Sequence, residues 1–274
     1  MGTIYGLLGF VQGLTEFLPI SSSSHLSILE AWLLPDVKEE VRLAINACLH
    51  AGTALALLVY FRLRILNWIL AVLKFFRNPV GKNPALTELS YVFLASIPTA
   101  LIGLWLKLNH IANIPFALQG VCLIITGYLL TVSRKWHGGS KELGLSTVLV
   151  LGMAQGLCVI PGLSRSGILF CLALFLGIKR GEALMFTFLV SLPAVLGAIL
   201  LSVPDLWLAW GQAGFEPVLL LMAVMVSFVV GTVCLRYLNW LYSEKVVGMT
   251  GIYCQFAGYV LISGYFISWF RGNF

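Results

Sequence analysis

The length of the apolar runs constrains this chain more than anything else in it. A helix needs roughly 20 consecutive apolar residues to cross the hydrocarbon of a bilayer. Six stretches of the 274-residue sequence approach that, at about 44–61, 91–107, 116–133, 183–203, 217–235 and 246–270. With 59% of residues hydrophobic and only 10% charged, the chain carries more apolar surface than a soluble fold of its size buries. Lipid is therefore its expected solvent, and the expected fold is an all-α polytopic membrane protein with six transmembrane helices in a single integral membrane domain. No basic segment precedes the first apolar run, Glu16 lies within it, and no small-residue cleavage pattern follows, so no removable signal peptide is expected.

Two more apolar regions are interrupted, 4–34 at Leu18-Pro19 and the serines after it, and 144–178 at Pro161-Gly162. Their halves, roughly 12 to 17 residues each, are too short to cross a bilayer. Such segments fit re-entrant helical hairpins, whose irregular tips must be buried in protein or line a wet cavity. Gly9-Phe-Val-Gln12-Gly13-Leu14 in the first matches Gly152-Met-Ala-Gln155-Gly156-Leu157 in the second, and each is followed by a proline and a serine-bearing tip.

Of the 17 Lys and Arg, one side of this topology collects Arg62, Arg64, Lys74, Arg77, Lys82, Arg134, Lys135, Lys141, Lys179, Arg180, Arg236 and Lys245. By the positive-inside rule that side is cytoplasmic. The opposite connections hold Asp36, Glu39, Glu40, Asp205 and Glu216 against Lys38, Arg42, Lys107 and Arg271. Both termini then lie outside, the first hairpin opens outward and the second inward, and three spans follow each. That is an inverted-topology repeat, with repeat one about 1–133 (hairpin 4–34) and repeat two about 144–270 (hairpin 144–178). Residues 62–78, apolar but flanked by cations, read as a helix lying on the cytoplasmic interface.

The formal net charge of +6 comes without a basic run interleaved with aromatics, which argues against nucleic acid and for anionic lipid headgroups. Cys48, Cys122, Cys158, Cys171, Cys234 and Cys254 stand singly in apolar runs and read as packing residues, with no pairing suggestive of zinc or redox chemistry.

In QGLTEFLPISSSSH, Gln12 and Glu16 are four apart and share one face of a helix that Pro19 ends. Ser21, Ser22, Ser23 and Ser24 can cap the next helix, placing His25 in or near its first turn. A helix N-terminus with free amides and hydroxyls is a ready anion site. PGLSRSG repeats the device with Ser164 and Ser166, and Arg165 adds a planar charged fork suited to phosphate oxygens. By itself a serine run after a proline is a capped turn, and a lone histidine is a packed side chain. Glu16, His25 and Arg165 differ because ionisable groups within membrane segments are costly and mark function. His50, in CLHAGT at the start of a span, either lines the same cavity or makes a structural hydrogen bond. His110 and His137 fall in connections with no catalytic part, while Ser96-Ile-Pro98 and Ser191-Leu-Pro193 suggest helix kinks.

QGLTEFLPISSSSH, the HAGT segment and PGLSRSG together resemble the BacA-type undecaprenyl-pyrophosphate phosphatases, over essentially the whole chain. The resemblance implies hydrolysis of undecaprenyl pyrophosphate to undecaprenyl phosphate and phosphate, recycling the carrier for peptidoglycan synthesis in the bacterial inner membrane. It also implies a divalent cation, magnesium or calcium, at Glu16, and a site opening to the outer face. The family's catalytic positions fall on Glu16, Ser22, Ser23, His25, Ser164, Arg165 and Ser166. Gln12 stands where several members carry a second glutamate, Ser24 where a glycine is frequent, and Tyr253-Cys254 where many have Tyr-Arg. The expected partners are the polyprenyl pyrophosphate and membrane lipids, with no nucleic acid and with homodimer formation left open.

Phosphoryl transfer asks mainly for positioning and charge neutralisation. Three nucleophiles remain open on sequence: Ser22 aided by His25 or Glu16, His25 itself, or an activated water. Ser22 with His25 as base and Glu16 orienting a cation or His25 is the preferred reading. A transporter or flippase for a polyprenyl phosphate or another anion is the rival, since inverted repeats with broken helices are transporter architecture.

Overall fold

A computed structural model describes residues 1–77, 83–109 and 114–270, with side chains to 267. Lys82, His110 and Arg271 lie outside the described residues. The first half comprises α1 (Gly2–Thr15), α2 (Ser22–Leu33), α3 (Glu39–Tyr60), α4 (Arg62–Arg77), α5 (Pro84–Leu108) and α6 (Phe116–Ser133). The second comprises α7 (Leu145–Leu157), α8 (Arg165–Phe175), α9 (Arg180–Leu201), α10 (Val203–Ala209), α11 (Pro217–Arg236), α12 (Leu238–Leu241) and α13 (Glu244–Phe270). Among the described residues the only extended pairing is an isolated bridge between Lys141 and Ile178.

Six helices, α3, α5, α6, α9, α11 and α13, are long and apolar enough to cross a membrane. Several begin upstream of the apolar runs. Glu39 and Glu40 open α3 and Glu182 sits in the first turn of α9. Hydropathy excludes such residues from a span, but a helix N-terminus favours them through its dipole. Helices α1, α2, α7 and α8 are 14, 12, 13 and 11 residues long, shorter than a crossing requires. Pro98 and Pro193 lie inside α5 and α9, which continue through them.

Helix α4 follows α3 after Phe61, and its Trp68 and Ala71 are buried while Leu63, Leu66, Ile69 and Leu73 are exposed. Glu88 of α5 fastens it by accepting from Trp68 Nε1 at 2.9 Å and pairing with Arg64 at 3.0 Å.

The packing is reciprocal between halves. Helix α1 packs on α11 and α7 on α5, α3 packs on α11 and α9 on α5, and the pairs α3 with α9 and α6 with α13 close the bundle. Such an exchange is consistent with the expected inverted repeat. Without a hydrophobic drive between helices in lipid, close packing depends on small residues. A Cβ at Gly13 would stand 2.7 Å from Ser227 O on α11, and one at Gly127 2.5 Å from Gly251 O on α13. All six cysteines are free, and Cys122, Cys171, Cys234 and Cys254 are buried.

Candidate active site

Two short loops build the site. Helix α1 ends at Thr15, with Glu16 as its C-cap, and α2 starts at Ser22 after Ser21 takes φ 67° and ψ 88°. That left-handed conformation is unusual for a residue with a Cβ. Ser21 was expected to help cap α2 with its hydroxyl, yet it makes no such bond. Its Oγ instead accepts from Gly162 N at 3.0 Å and lies 3.3 Å from Ser23 Oγ, so it joins the two loops to each other. The second loop does carry the expected cap, because Ser164 Oγ accepts from Gly167 N at 3.2 Å.

Gly162 has φ +98°, and a Cβ there would come within 2.4 Å of Gln119 O. Only glycine fits both demands. Thr126 of α6 holds this loop by donating to Gly162 O at 2.9 Å and accepting from Ser164 N at 3.1 Å.

The two loops converge on Glu16, which is 7% exposed. Its Oε1 meets Arg165 Nη2 at 2.5 Å, although 149 residues separate the two in sequence. Its Oε2 accepts from Ser22 Oγ at 2.7 Å and from Gln12 Nε2 at 3.2 Å. His50 Nδ1 lies 3.6 Å from the same oxygen and 2.8 Å from Gln12 Nε2. A carboxylate withdrawn from water is tolerable only when paired and hydrogen-bonded, which these partners achieve.

Around the pair is a cavity of about 210 Å³ lined on its polar side by Glu16, Ser21, Ser22, Ser23, His50, Ser164, Arg165 and Ser166. Leu18, Val159, Leu163, Ala194, Val195 and Ala198 supply apolar lining. Ser23 and His50 also line a second cavity of about 550 Å³, reached from the ends of α3 and α6 where Glu39, Arg42 and Pro115 lie.

The family model described as bacitracin resistance protein BacA matches residues 5–260. The chain belongs to the BacA family. It is similar to proteins named undecaprenyl-diphosphatase from three organisms. That of Korarchaeum cryptofilum is 34% identical over 267 residues, which cover 94% of this chain and 97% of the relative. That of Desulfatibacillum aliphaticivorans is 35% identical over 281 residues, covering 95% and 98%. That of Treponema denticola is 37% identical over 239 residues, covering 85% and 86%.

Within this BacA-family site, three sequence candidates stand apart from the cavity wall. Gln12 is buried behind Glu16 and orients it. Ser24 is buried with an unpartnered Oγ and does not line the cavity. His25 is turned away: its Nδ1 lies 2.8 Å from Ser21 O and its Nε2 2.7 Å from Tyr253 Oη, with the rings stacked at 5.7 Å. The expected pairing of Ser22 with His25 is therefore not formed, because the backbone turn at Ser21 aims Ser22 at Glu16. His50 sits midway along α3 rather than at its start.

Four residues passed over as site candidates take part. Tyr253 anchors His25, Thr126 fixes the second loop, and Thr99 and Gln155 line the cavity. Gln155 carried a signal in its match to Gln12. The others are ordinary polar residues in apolar helices, and no local pattern marks them.

Among the described residues no group of three or more His, Cys, Asp or Glu is placed to hold a metal ion. Glu16 nonetheless presents a carboxylate to the cavity, with Gln12 behind it. Magnesium is commonly held by one or two carboxylates together with substrate phosphates. That single carboxylate fits a hard divalent cation shared with a phosphate-bearing ligand.

Proposed function

We propose that this chain hydrolyses undecaprenyl pyrophosphate to undecaprenyl phosphate and phosphate, regenerating the lipid carrier used in cell-envelope synthesis. The observation that carries the reading is the contact of Glu16 with both Ser22 and Arg165, a base, a nucleophile and an anion clamp from two hairpins in one membrane-embedded cavity.

The chemistry follows from the geometry. Ser22 attacks the terminal phosphorus and passes its proton to Glu16 Oε2, while the bond from that phosphorus to the bridging oxygen breaks and the lipid phosphate leaves. Arg165 neutralises charge on the phosphoryl oxygens, and the amides at the starts of α2 and α8 add donors. The proton on Glu16 passes to the departing lipid phosphate; water then attacks the phosphoserine and gives its proton to Glu16, which returns it to Ser22 Oγ as the bond from phosphorus to serine oxygen breaks and phosphate leaves. His25, held by Ser21 O and Tyr253, fixes the loop in place of acting on Ser22. Glu16 would hold a divalent cation, which would supply further charge neutralisation when bound.

The apolar wall suits the polyprenyl tail, and the larger cavity gives phosphate and water a polar route. The cation distribution supports α4 on the cytoplasmic side, with both termini and the larger cavity on the outer face. Purified protein in detergent, where no transport is possible, should release phosphate from undecaprenyl pyrophosphate. Protein that binds the lipid in detergent without releasing phosphate would favour a transporter.

A further inference from the structure

We propose that Thr99, Gln155 and the Nε–H of Arg165 form a second phosphoryl subsite, which holds the phosphate that stays on the lipid and so selects diphosphates over monophosphates. The inference rests on the hydrolase reading above. Three cavity-lining residues carry buried polar atoms without partners: Thr99 Oγ1, Gln155 Oε1 and Arg165 Nε. Buried polar atoms are nearly always satisfied, and leaving them unpaired is costly. The two donors among them, Thr99 Oγ1 and Arg165 Nε, point to an anionic ligand that accepts from both.

Each has a reason to be free. Thr15, Thr131, Thr187 and Thr232 donate to the carbonyl four residues back in their own helices, at 2.7–2.8 Å. Thr99 does not, so its hydroxyl is available to the cavity. Gln155 is fully buried, and its amide is held only by a 3.5 Å contact from Nε2 to Ala95 O, at the edge of bonding distance. Nε2 carries two N–H groups, so a donor remains for a ligand beside this weak contact. Arg165 commits Nη2 to Glu16, which leaves Nε–H for a second partner. Phosphate oxygens accept hydrogen bonds only, and a hydroxyl, an amide N–H and a guanidinium N–H are the donors they need.

Position decides which phosphate this is. Thr99 comes from α5 and Gln155 from α7, which pack together, and α5 packs on α9, the helix carrying Ala194, Val195 and Ala198 of the apolar wall. Ser22 and Glu16 come from the first hairpin. A tail lying on the apolar wall puts its attached phosphate beside Thr99 and Gln155, and the terminal phosphate beside Ser22. Arg165 reaches both.

The test uses the purified full chain and compares affinity for methylenediphosphonate, a diphosphate that cannot be cleaved, with affinity for inorganic phosphate. Thr99→Val and Gln155→Leu should each reduce the preference for methylenediphosphonate roughly five- to tenfold and raise KM for the lipid diphosphate by a similar factor. Thr99→Ser, which keeps the hydroxyl, should retain the wild-type preference. Gln155→Glu, of unchanged shape, should weaken methylenediphosphonate more than Gln155→Leu because it sets a carboxylate against phosphate, and it serves if the leucine variant misfolds. Variants whose preference stays at the wild-type value, or that lose both ligands in equal measure, overturn the subsite. Wild-type protein that binds methylenediphosphonate but releases no phosphate from lipid overturns the hydrolase reading and leaves the subsite standing.

Discussion

The carboxylate of Glu16 receives a guanidinium, a hydroxyl and an amide at once, and its neighbours differ in what they lose when altered. Ser22→Ala removes the hydroxyl on Glu16 and leaves no buried donor unpaired, so turnover should be nearly abolished at unchanged thermal stability. Ser21→Ala strips the acceptor from Gly162 N and should cost roughly 1–3 kcal/mol of stability with turnover largely kept. Measuring both properties on both variants checks this, and a Ser22→Ala protein with near-normal rate would move the nucleophile to water. Glu16 and Arg165 were legible in the sequence because a charge within an apolar run is conspicuous. Ser22 was preferred among the four serines but paired with His25, since the backbone angle at Ser21 that turns its hydroxyl to Glu16 leaves no mark in the sequence. Thr99 was silent because a threonine in a membrane helix ordinarily satisfies itself.

At the scale of elements, the broken segments were read from proline, glycine and length, and the short helices α1, α2, α7 and α8 stand where those signals put them. Helix starts were placed too late, since Glu39 and Glu182 belong to helices but not to apolar runs. The hold of Thr126 on the second loop was illegible because it joins residues 36 apart through a backbone carbonyl. The side on which the first hairpin opens rests on charge alone. Ser23 is exposed and lines both cavities, so a cysteine placed there in a background free of native cysteines reports that side. A membrane-impermeant thiol reagent should label it in intact spheroplasts. Labelling confined to inverted vesicles would reverse the orientation.

Across the whole molecule, the site exists because each half packs its first hairpin helix on the other half, α1 on α11 and α7 on α5. That exchange carries Arg165 to Glu16 and explains how residues 149 positions apart make one site. The sequence showed the halves through their matching Gly-x-x-Gln-Gly-Leu segments but not this exchange, which depends on glycine-to-backbone fits such as Gly13 on Ser227. The most direct test is phosphate release from undecaprenyl pyrophosphate by wild type and Arg165→Lys side by side, with thermal unfolding of the same preparations. Lysine keeps the charge and loses the two-pronged fork. The clamp role predicts that Arg165→Lys stays folded yet loses most of its turnover, with Arg165→Ala lower still, since removing arginine from other phosphoryl-transfer sites costs roughly a thousandfold or more. A stable Arg165→Lys protein with undiminished phosphate release would contradict it.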